Sequence, residues 1–271
     1  MKLSKEQVQA YERDGYLVLP NLFNAAEVDV LRRELAAAVQ VQDERVIREK
    51  TGLAVRMVYG VHDRSGPTGH PGYASLVGSP RLVQPAMDVL GEPVNVFHTK
   101  ANLKEAINGE FWQWHQDFGY WNIEDAAPQP RLVTSLVMLD RATEVGGCLY
   151  FVPGSHRLGM IEPAFDERTS KKIWTVSKEQ MIDAVQRCGE PVAVTGDAGT
   201  VVMFHPNLLH GSAQNMSTHD RRQLYVVYNA VSNKLGPVAN PRPEYNASRT
   251  APAQLPNERD VIAGAEAPAF A

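Results

Sequence analysis

Two stretches of this chain carry side chains whose types and spacing suit chemistry. The first is Phe111-Trp-Gln-Trp-His115-Gln-Asp117-Phe-Gly-Tyr-Trp121. On a strand, residues i and i+2 point to one face, so His115 and Asp117 would present an imidazole and a carboxylate side by side. A second histidine from far along the chain would complete a two-histidine, one-carboxylate set. Such a set binds one face of Fe(II) and leaves the remaining positions open. His-x-Asp is a short pattern, and a strand-end histidine beside an exposed aspartate accounts for it equally well. The second stretch is Phe204-His-Pro-Asn-Leu-Leu-His210-Gly-Ser-Ala-Gln-Asn215, followed by Arg221. His210 ends a short apolar run, and Gly211 lets the backbone come close to a ligand. Arg221 heads another strand-like run, where a guanidinium can give a carboxylate two parallel hydrogen bonds. A lone arginine at the head of a strand is also an ordinary solvated residue.

Positioning these groups falls to elements that the pattern also predicts. Ser4 with Gln7 reads as a capping box, and Gly15 as the helix stop. A short apolar strand follows at 16–20. Asn24 with Glu27 opens a second helix, on which Val28, Leu31, Leu35 and Val39 recur at helical spacing. A third helix runs from Pro80 to about Val89 and stops at Gly91. The stretch 60–72 holds Gly, Pro, His, Asp and Ser in quick succession and reads as a loop. Strands are predicted over 94–100, 112–118, 131–140, 148–152, 191–194, 200–204 and 223–230, bounded by Gly, Pro, Asn and Asp. An insert at 157–187 ends in a helical piece at 178–187. The region after Gly236 holds six of the 18 prolines and reads as an irregular arm. Seven or more short strands at this spacing suggest an antiparallel sandwich or barrel. One domain is expected, with a helical buttress over about 1–92, a β core over about 93–232 and the arm over about 233–271. If Arg221 points into the core, Gln223, Tyr225, Val227 and Asn229 share its face. Arg222, Leu224, Val226 and Tyr228 then point away.

Composition narrows the function classes. The chain has 271 residues, enough to bury a core without disulfides or a structural metal. Lys and Arg total 27 against 31 Asp and Glu, a net charge of −4, which argues against a protein built to grip nucleic acid or an anionic membrane. Two cysteines, Cys148 and Cys188, make neither a disulfide framework nor a cysteine-rich zinc site, so a reducing, cytoplasmic setting is expected. No apolar run reaches the ~18 residues of a membrane span, and the N-terminus lacks an apolar signal core. A small-molecule partner is expected, with monomer and homodimer both open.

Taken together, His115-x-Asp117, His210 and Arg221 resemble the phytanoyl-CoA dioxygenase-like branch of the Fe(II)/2-oxoglutarate-dependent dioxygenases. Three further stretches resemble it too: Gly146-Gly-Cys-Leu-Tyr-Phe-Val-Pro-Gly-Ser-His156-Arg157, Gly196-Asp-Ala-Gly-Thr, and the Asp-Gly-Tyr-Leu-Val-Leu-Pro start at Asp14. The resemblance covers roughly residues 8–232. It implies a mainly β fold with flanking helices, a double-stranded β-helix or cupin-like jelly-roll of two antiparallel sheets. It also implies Fe(II), 2-oxoglutarate as co-substrate and O2. Position by position, it makes His115, Asp117 and His210 iron ligands and Arg221 the partner of the distal carboxylate of 2-oxoglutarate. Asn102, Ser212 and Thr134 match positions beside the co-substrate, and Trp121 and Tyr225 match aromatic positions lining the substrate pocket. His98 stands where similar members carry a substrate-contacting glutamine, a departure that bears on the substrate and not on the oxidative chemistry. Because the carboxylate position is filled by Asp117, hydroxylation is implied over halogenation.

Arg131 and Asn229 are further candidates for contact with a substrate, with a strand-end salt bridge as the alternative for Arg131. The expected substrate is a small polar metabolite: an amino acid, a cyclic amino-acid derivative or a phosphonate. A CoA thioester is less favoured, because Lys171-Lys172 is the nearest thing to a basic cluster. Two other functions fit the same residues. Two His and one Asp can hold Zn(II) and activate water for hydrolysis, and a jelly-roll can bind a small molecule without turnover. Of the remaining histidines, His205 and His156 are expected to be structural, and His62, His70 and His219 loop residues. Trp112 and Trp114 are either packing aromatics or substrate contacts.

Overall fold

The computed structural model of the protein describes residues 1–50, 54–169 and 171–265. In chain order the first elements are α1 (Lys5–Asp14), β1 (Tyr16–Leu19), α2 (Ala25–Ala38), β2 (Val46–Arg48), β3 (Val55–Tyr59), α3 (Pro71–Val77) and α4 (Pro80–Leu90). Next come β4 (Val94–Lys104), β5 (Trp112–His115), α5 (Asp117–Asp125), β6 (Leu132–Met138) and β7 (Leu149–Phe151). A 3-10 turn at Ser155–Leu158, β8 (Ala164–Asp166), β9 (Ile173–Thr175) and α6 (Lys178–Cys188) form the insert. The chain then forms β10 (Val192–Val194), β11 (Val201–Phe204), β12 (His210–Ser212) and β13 (Arg221–Ala230).

The predicted caps are present. Ser4 with Gln7, and Asn24 with Glu27, each close a full capping box, and Gly15 ends α1 in the left-handed region. Helix α4 ends at Gly91 in the same conformation.

Seven strands form one antiparallel sheet in the order β1-β11-β6-β13-β4-β3-β2, and four form a second in the order β10-β7-β12-β5. The two sheets make the jelly-roll that the strand count suggested. Alternation along β13 assigns its faces as expected. Leu224, Val226 and Tyr228 join Val133, Val137 and Met203 in a core against α1 to α4. Tyr225 on the opposite face joins Leu136, Phe151 and Phe204 between the sheets. Helix α6 packs outside the small sheet, where Met181, Ala184 and Val185 meet Trp114 and Leu209. The N-terminal region is more than a helical buttress, since β1, β2 and β3 all belong to the large sheet.

The strand expected over 112–118 is shorter. β5 stops at His115, and Asp117 begins α5 with extended Gln116 at its N-cap. The run Phe118-Gly-Tyr-Trp121 repeats its buried aromatics at i, i+3, a helical interval. A carboxylate in the first turn also suits the helix dipole. The arm after Gly236 is irregular over the described residues apart from an isolated bridge, Asn95 to Ala253, and its final residues, 266–271, lie outside them. Among the described residues no helix is long and apolar enough to cross a membrane.

Candidate functional site

Strand β12 lies beside β5, with His210 directly opposite His115. The pairing carries a bulge. Two steps on β12, from Ser212 to His210, span three on β5, from Trp112 to His115. The extra residue lets Trp112 and His115 share the inner side, while Trp114 packs outside against α6. The turn into α5 then brings Asp117 beside both histidines. Its carboxylate oxygens lie 3.8 Å from His115 Nε2 and 4.0 Å from His210 Nε2. The imidazole rings are 4.1 Å apart. One ligand atom from each of the three residues falls within 4.8 Å of the others, and all three are buried. The exposed-aspartate alternative is therefore excluded.

Each imidazole is oriented by its own strand. His115 Nδ1 lies 2.7 Å from Gln113 O and His210 Nδ1 lies 2.9 Å from Leu208 O. A carbonyl can only accept, so both Nδ1 atoms carry the proton and both Nε2 lone pairs face Asp117. Burial, with His210 nearby, pushes His115 down to about 3. Burial lowers His210 as well. Burial alone would raise Asp117, but it is held below the usual carboxylate range, with Lys100 the leading group that lowers it. The set is thus two neutral imidazoles and one carboxylate, the protonation a divalent metal requires. Lys100 Nζ lies 3.9 Å from Asp117.

Beyond the triad is a group of buried polar side chains that lack partners. Arg221 is 1 % exposed, yet its Nε and Nη2 have none, and neither do Ser212 Oγ, Thr134 Oγ1, Asn102 Oδ1 and Gln223 Nε2. Gln223 Oε1 accepts from Arg221 Nη1 and, at 3.0 Å, from the Tyr225 hydroxyl. Buried polar groups are ordinarily paired, so this collection fits a polar ligand with a carboxylate for the arginine. Together, the triad and the unpaired groups around Arg221 fit a divalent iron and a dicarboxylate such as 2-oxoglutarate.

A cavity opens at the triad, with His115 and Asp117 in its wall. It is lined by His98, Lys100, Trp112, Tyr120, Trp121 and Arg242, among others. Trp121 packs against Phe97 and His98 at 5.3 and 5.8 Å. His98 Nδ1 bonds to Asn246 O at 2.9 Å, and its buried Nε2 has no partner. Lys171 of the insert stands over Tyr59 and Tyr120. Arg242 of the arm stands over Tyr120 and is held by Asp125. Insert and arm both reach this cavity, whereas the loop at 60–72 supplies none of its lining. A larger groove, lined by Phe111, Trp114, Tyr150, Met181 and Pro191, runs over the outer face and has no His, Asp or Glu to serve as a metal ligand.

Four readings need correction. Arg131 is exposed and paired with Glu92, far from the triad, so its salt-bridge alternative holds. Asn229 exchanges hydrogen bonds with Asn233 and closes the end of β13 without reaching the site. Tyr225 aims its hydroxyl at Gln223, on the Arg221 side, and not into the aromatic cavity. Gly211 makes room for protein: a Cβ there would lie 3.1 Å from Trp112 O and 3.2 Å from the Trp114 ring. Lys100, Lys104, Gln223, Arg56 and Arg242 were missed. The i+2 alternation from His98 along β4 carries Lys100, Asn102 and Lys104 on one face and would have found two of them. Nothing local signals Arg242, which arrives on an irregular segment.

Similarity to known proteins agrees with this geometry. The family described as phytanoyl-CoA dioxygenase (PhyH) matches residues 11–223. An ectoine dioxygenase of Bordetella bronchiseptica is 36 % identical, covering 92 % of this chain and 83 % of that protein. An L-proline trans-4-hydroxylase of Streptomyces griseoviridis is 33 % identical, covering 93 % and 95 %. The crystal structure of EctD from S. alaskensis with 2-oxoglutarate and 5-hydroxyectoine superposes with a TM-score of 0.82 at 33 % identity, covering 95 % of this chain and 88 % of that one.

Proposed function

The chain belongs to the phytanoyl-CoA dioxygenase family, and from that premise we propose that it hydroxylates an unactivated C–H bond of a small cyclic amino-acid-like carboxylate. It is an Fe(II)- and 2-oxoglutarate-dependent dioxygenase. The observation that carries the reading is the buried His115, Asp117 and His210 set beside the unpaired groups around Arg221. When bound, iron and 2-oxoglutarate supply the oxidation, in which O2 is consumed, succinate and CO2 are released and one oxygen atom enters the substrate.

The residues have separable tasks in this proposal. His115, Asp117 and His210 hold the iron, with their protonation already set by the backbone carbonyls. Arg221 grips the distal carboxylate of 2-oxoglutarate, while the Ser212 and Thr134 hydroxyls offer hydrogen bonds along it and Asn102 stands beside it. Trp121, with Tyr59 and Tyr120, walls the substrate cavity. Flat aromatic walls suit a compact ring, and Lys171 and Arg242 give its carboxylate a cationic end. His98, held neutral by burial, turns Nε2 into the cavity as one hydrogen-bonding group. Holding the C–H bond against the metal and excluding water is the protein's share of the catalysis. Asp117 fills the carboxylate position, which favours hydroxylation. The relatives named for ectoine and L-proline support a cyclic substrate, and His98 argues for one that differs from ectoine. Hydrolysis on zinc would leave the unpaired groups around Arg221 without a purpose. A cytoplasmic setting belongs to the same reading, supported by two free cysteines.

The test is succinate formation with Fe(II), ascorbate and 2-oxoglutarate, against a panel of cyclic and acyclic amino acids. Succinate rising with a cyclic amino acid, and a product 16 Da heavier, is expected. No succinate under any condition, with tight zinc binding, would remove the proposal.

A further inference from the structure

Asp125 is a carboxylate in an unfavourable place. It is the last residue of α5, where the negative end of the helix dipole repels an anion, and it is 0 % exposed. Its partner comes from the arm. Arg242 Nε donates to Asp125 Oδ1 at 2.8 Å, and Nη2 donates to Oδ2. The backbone is gripped as well, because Arg249 Nη2 donates to Asp125 O at 2.9 Å. Scaffolding alone does not call for such a pair, since apolar side chains of similar volume often hold a buried junction as firmly. The geometry of the arginine supplies a reason. Asp125 occupies only the Nε–Nη2 edge of the guanidinium, which leaves Nη1 for a ligand of the cavity that Arg242 lines. The guanidinium stands over the Tyr120 ring at 4.6 Å, and Pro241 and Pro243 restrict the backbone on either side.

We infer that Asp125 is a positioning residue for the substrate: it fixes the Arg242 guanidinium at the aromatic cavity, so that a substrate carboxylate is held at a set reach from the iron. The inference rests on the carboxylate-substrate reading of that cavity. Helix α5 sets the reach. Asp117 begins the helix as an iron ligand and Asp125 ends it, about 12 Å further along its axis. His115 and Asp117 lie in the wall of the same cavity as Arg242. One short helix therefore spaces the metal from the group that receives the substrate. A change at Asp125 shifts the reacting C–H bond relative to the iron while every ligand stays in place. A displacement near 1 Å is enough to cost about 100-fold in rate. Its mark in this reaction is succinate released without hydroxylated product.

Turnover with Fe(II) and 2-oxoglutarate, on cyclic amino acids that include L-proline and L-pipecolate and on their primary amides, reads KM, product per succinate and the preference for acid over amide. The wild type should prefer the acid. R242Q should raise KM for the acid about 10- to 100-fold, the range for losing a charge-assisted hydrogen bond, and should lose that preference. D125N, assayed where it is folded, should raise KM about 10-fold, lower the product per succinate and shrink the same preference. The D125N/R242Q double variant should be no worse than R242Q, because Asp125 acts through Arg242. A purely structural Asp125 would lower Tm while leaving preference and product yield as in the wild type, and that result overturns the inference. Should D125N fail to fold, D125E decides. It keeps the ion pair but shifts the guanidinium by a methylene, so a raised KM with a lower product yield supports the inference and wild-type values overturn it. A wild type that turns over acid and amide alike removes the Asp125 assignment only. A wild type that forms no succinate with any of these acids removes the substrate reading with it.

Discussion

At the scale of single residues, the chemistry rests on protonation states imposed by burial and backbone contacts. His115 and His210 would each be partly protonated near neutral pH in water. Here burial and a carbonyl at Nδ1 leave Nε2 free for a metal. Asp117 is the one anion among the three ligands, kept ionised chiefly by Lys100. Replacing Asp117 by Ala should cut succinate formation by at least ~100-fold, since losing a ligand outright should exceed the ~10–100-fold cost of perturbing a ligand's outer partner. Turnover at the wild-type rate would show that Asp117 is no ligand. The sequence pointed to the triad and to Arg221 because each sits in a short, distinctive motif, and the structure brings the three triad side chains together and buries Arg221. It failed for Arg131 and Asn229 because strand position alone does not say which charged neighbour, such as Glu92, is nearer in space.

At the scale of elements, motifs distant from the chemistry prove to lock the scaffold. The turn at Asp14-Gly15 and the turn before Arg157 dock on each other. Gly154 N donates to Asp14 O at 2.8 Å, Arg157 to Arg13 O at 2.8 Å, and His156 Nε2 meets Glu12 O at 3.1 Å. Gly15, at φ +81°, leaves no room for a Cβ, which would lie 2.5 Å from His156 Nδ1. Gly15 O also accepts from His205 N at 2.8 Å, which ties the segment leading to His210 to the same lock. The expectation that His156 and His205 are structural thus acquires a physical content. His156→Ala should cost about 1–2 kcal/mol, or a few degrees in Tm, while the iron affinity of the folded protein stays within about threefold. A large fall in iron affinity at unchanged Tm would contradict that division. The bulge on β5 is the element-level feature the sequence hid, since a strict period of two puts Trp112 and Trp114 on one face.

At the scale of the whole molecule, an acidic chain encloses a core of positive charge. Arg56, Lys104 and Arg221 are each fully buried although the net charge is −4. Folding also buries neutral histidines, and that sets an acid limit. Burial, with His156 adjacent, pushes His205 down to about 4, below its ordinary value. The unfolded chain therefore binds protons that the folded chain refuses as pH falls below about 6.5. Stability held above that pH should drain away as pH falls toward 4. In metal-free protein, Tm should drop from pH 7.5 to pH 5, and His205→Asn should make the drop shallower. An identical slope in that variant would remove His205 from the account.

The sequence by itself determined most of the jelly-roll strands and the capped helices, which follow from local periodicity, and through its resemblance to the family it pointed to the iron ligands; β2, β3, β12 and α5 were not legible in it. Tertiary structure alone decided what surrounds them. Only the β4–β13 register sets Lys104 against Arg221, and only the path of the insert and the arm brings Lys171 and Arg242 over the aromatic cavity. Such contacts join residues from about 50 to more than 100 positions apart, as Lys171 meets Tyr120 and Arg242 joins Asp125. They depend on how elements pack, which no single stretch of residues encodes.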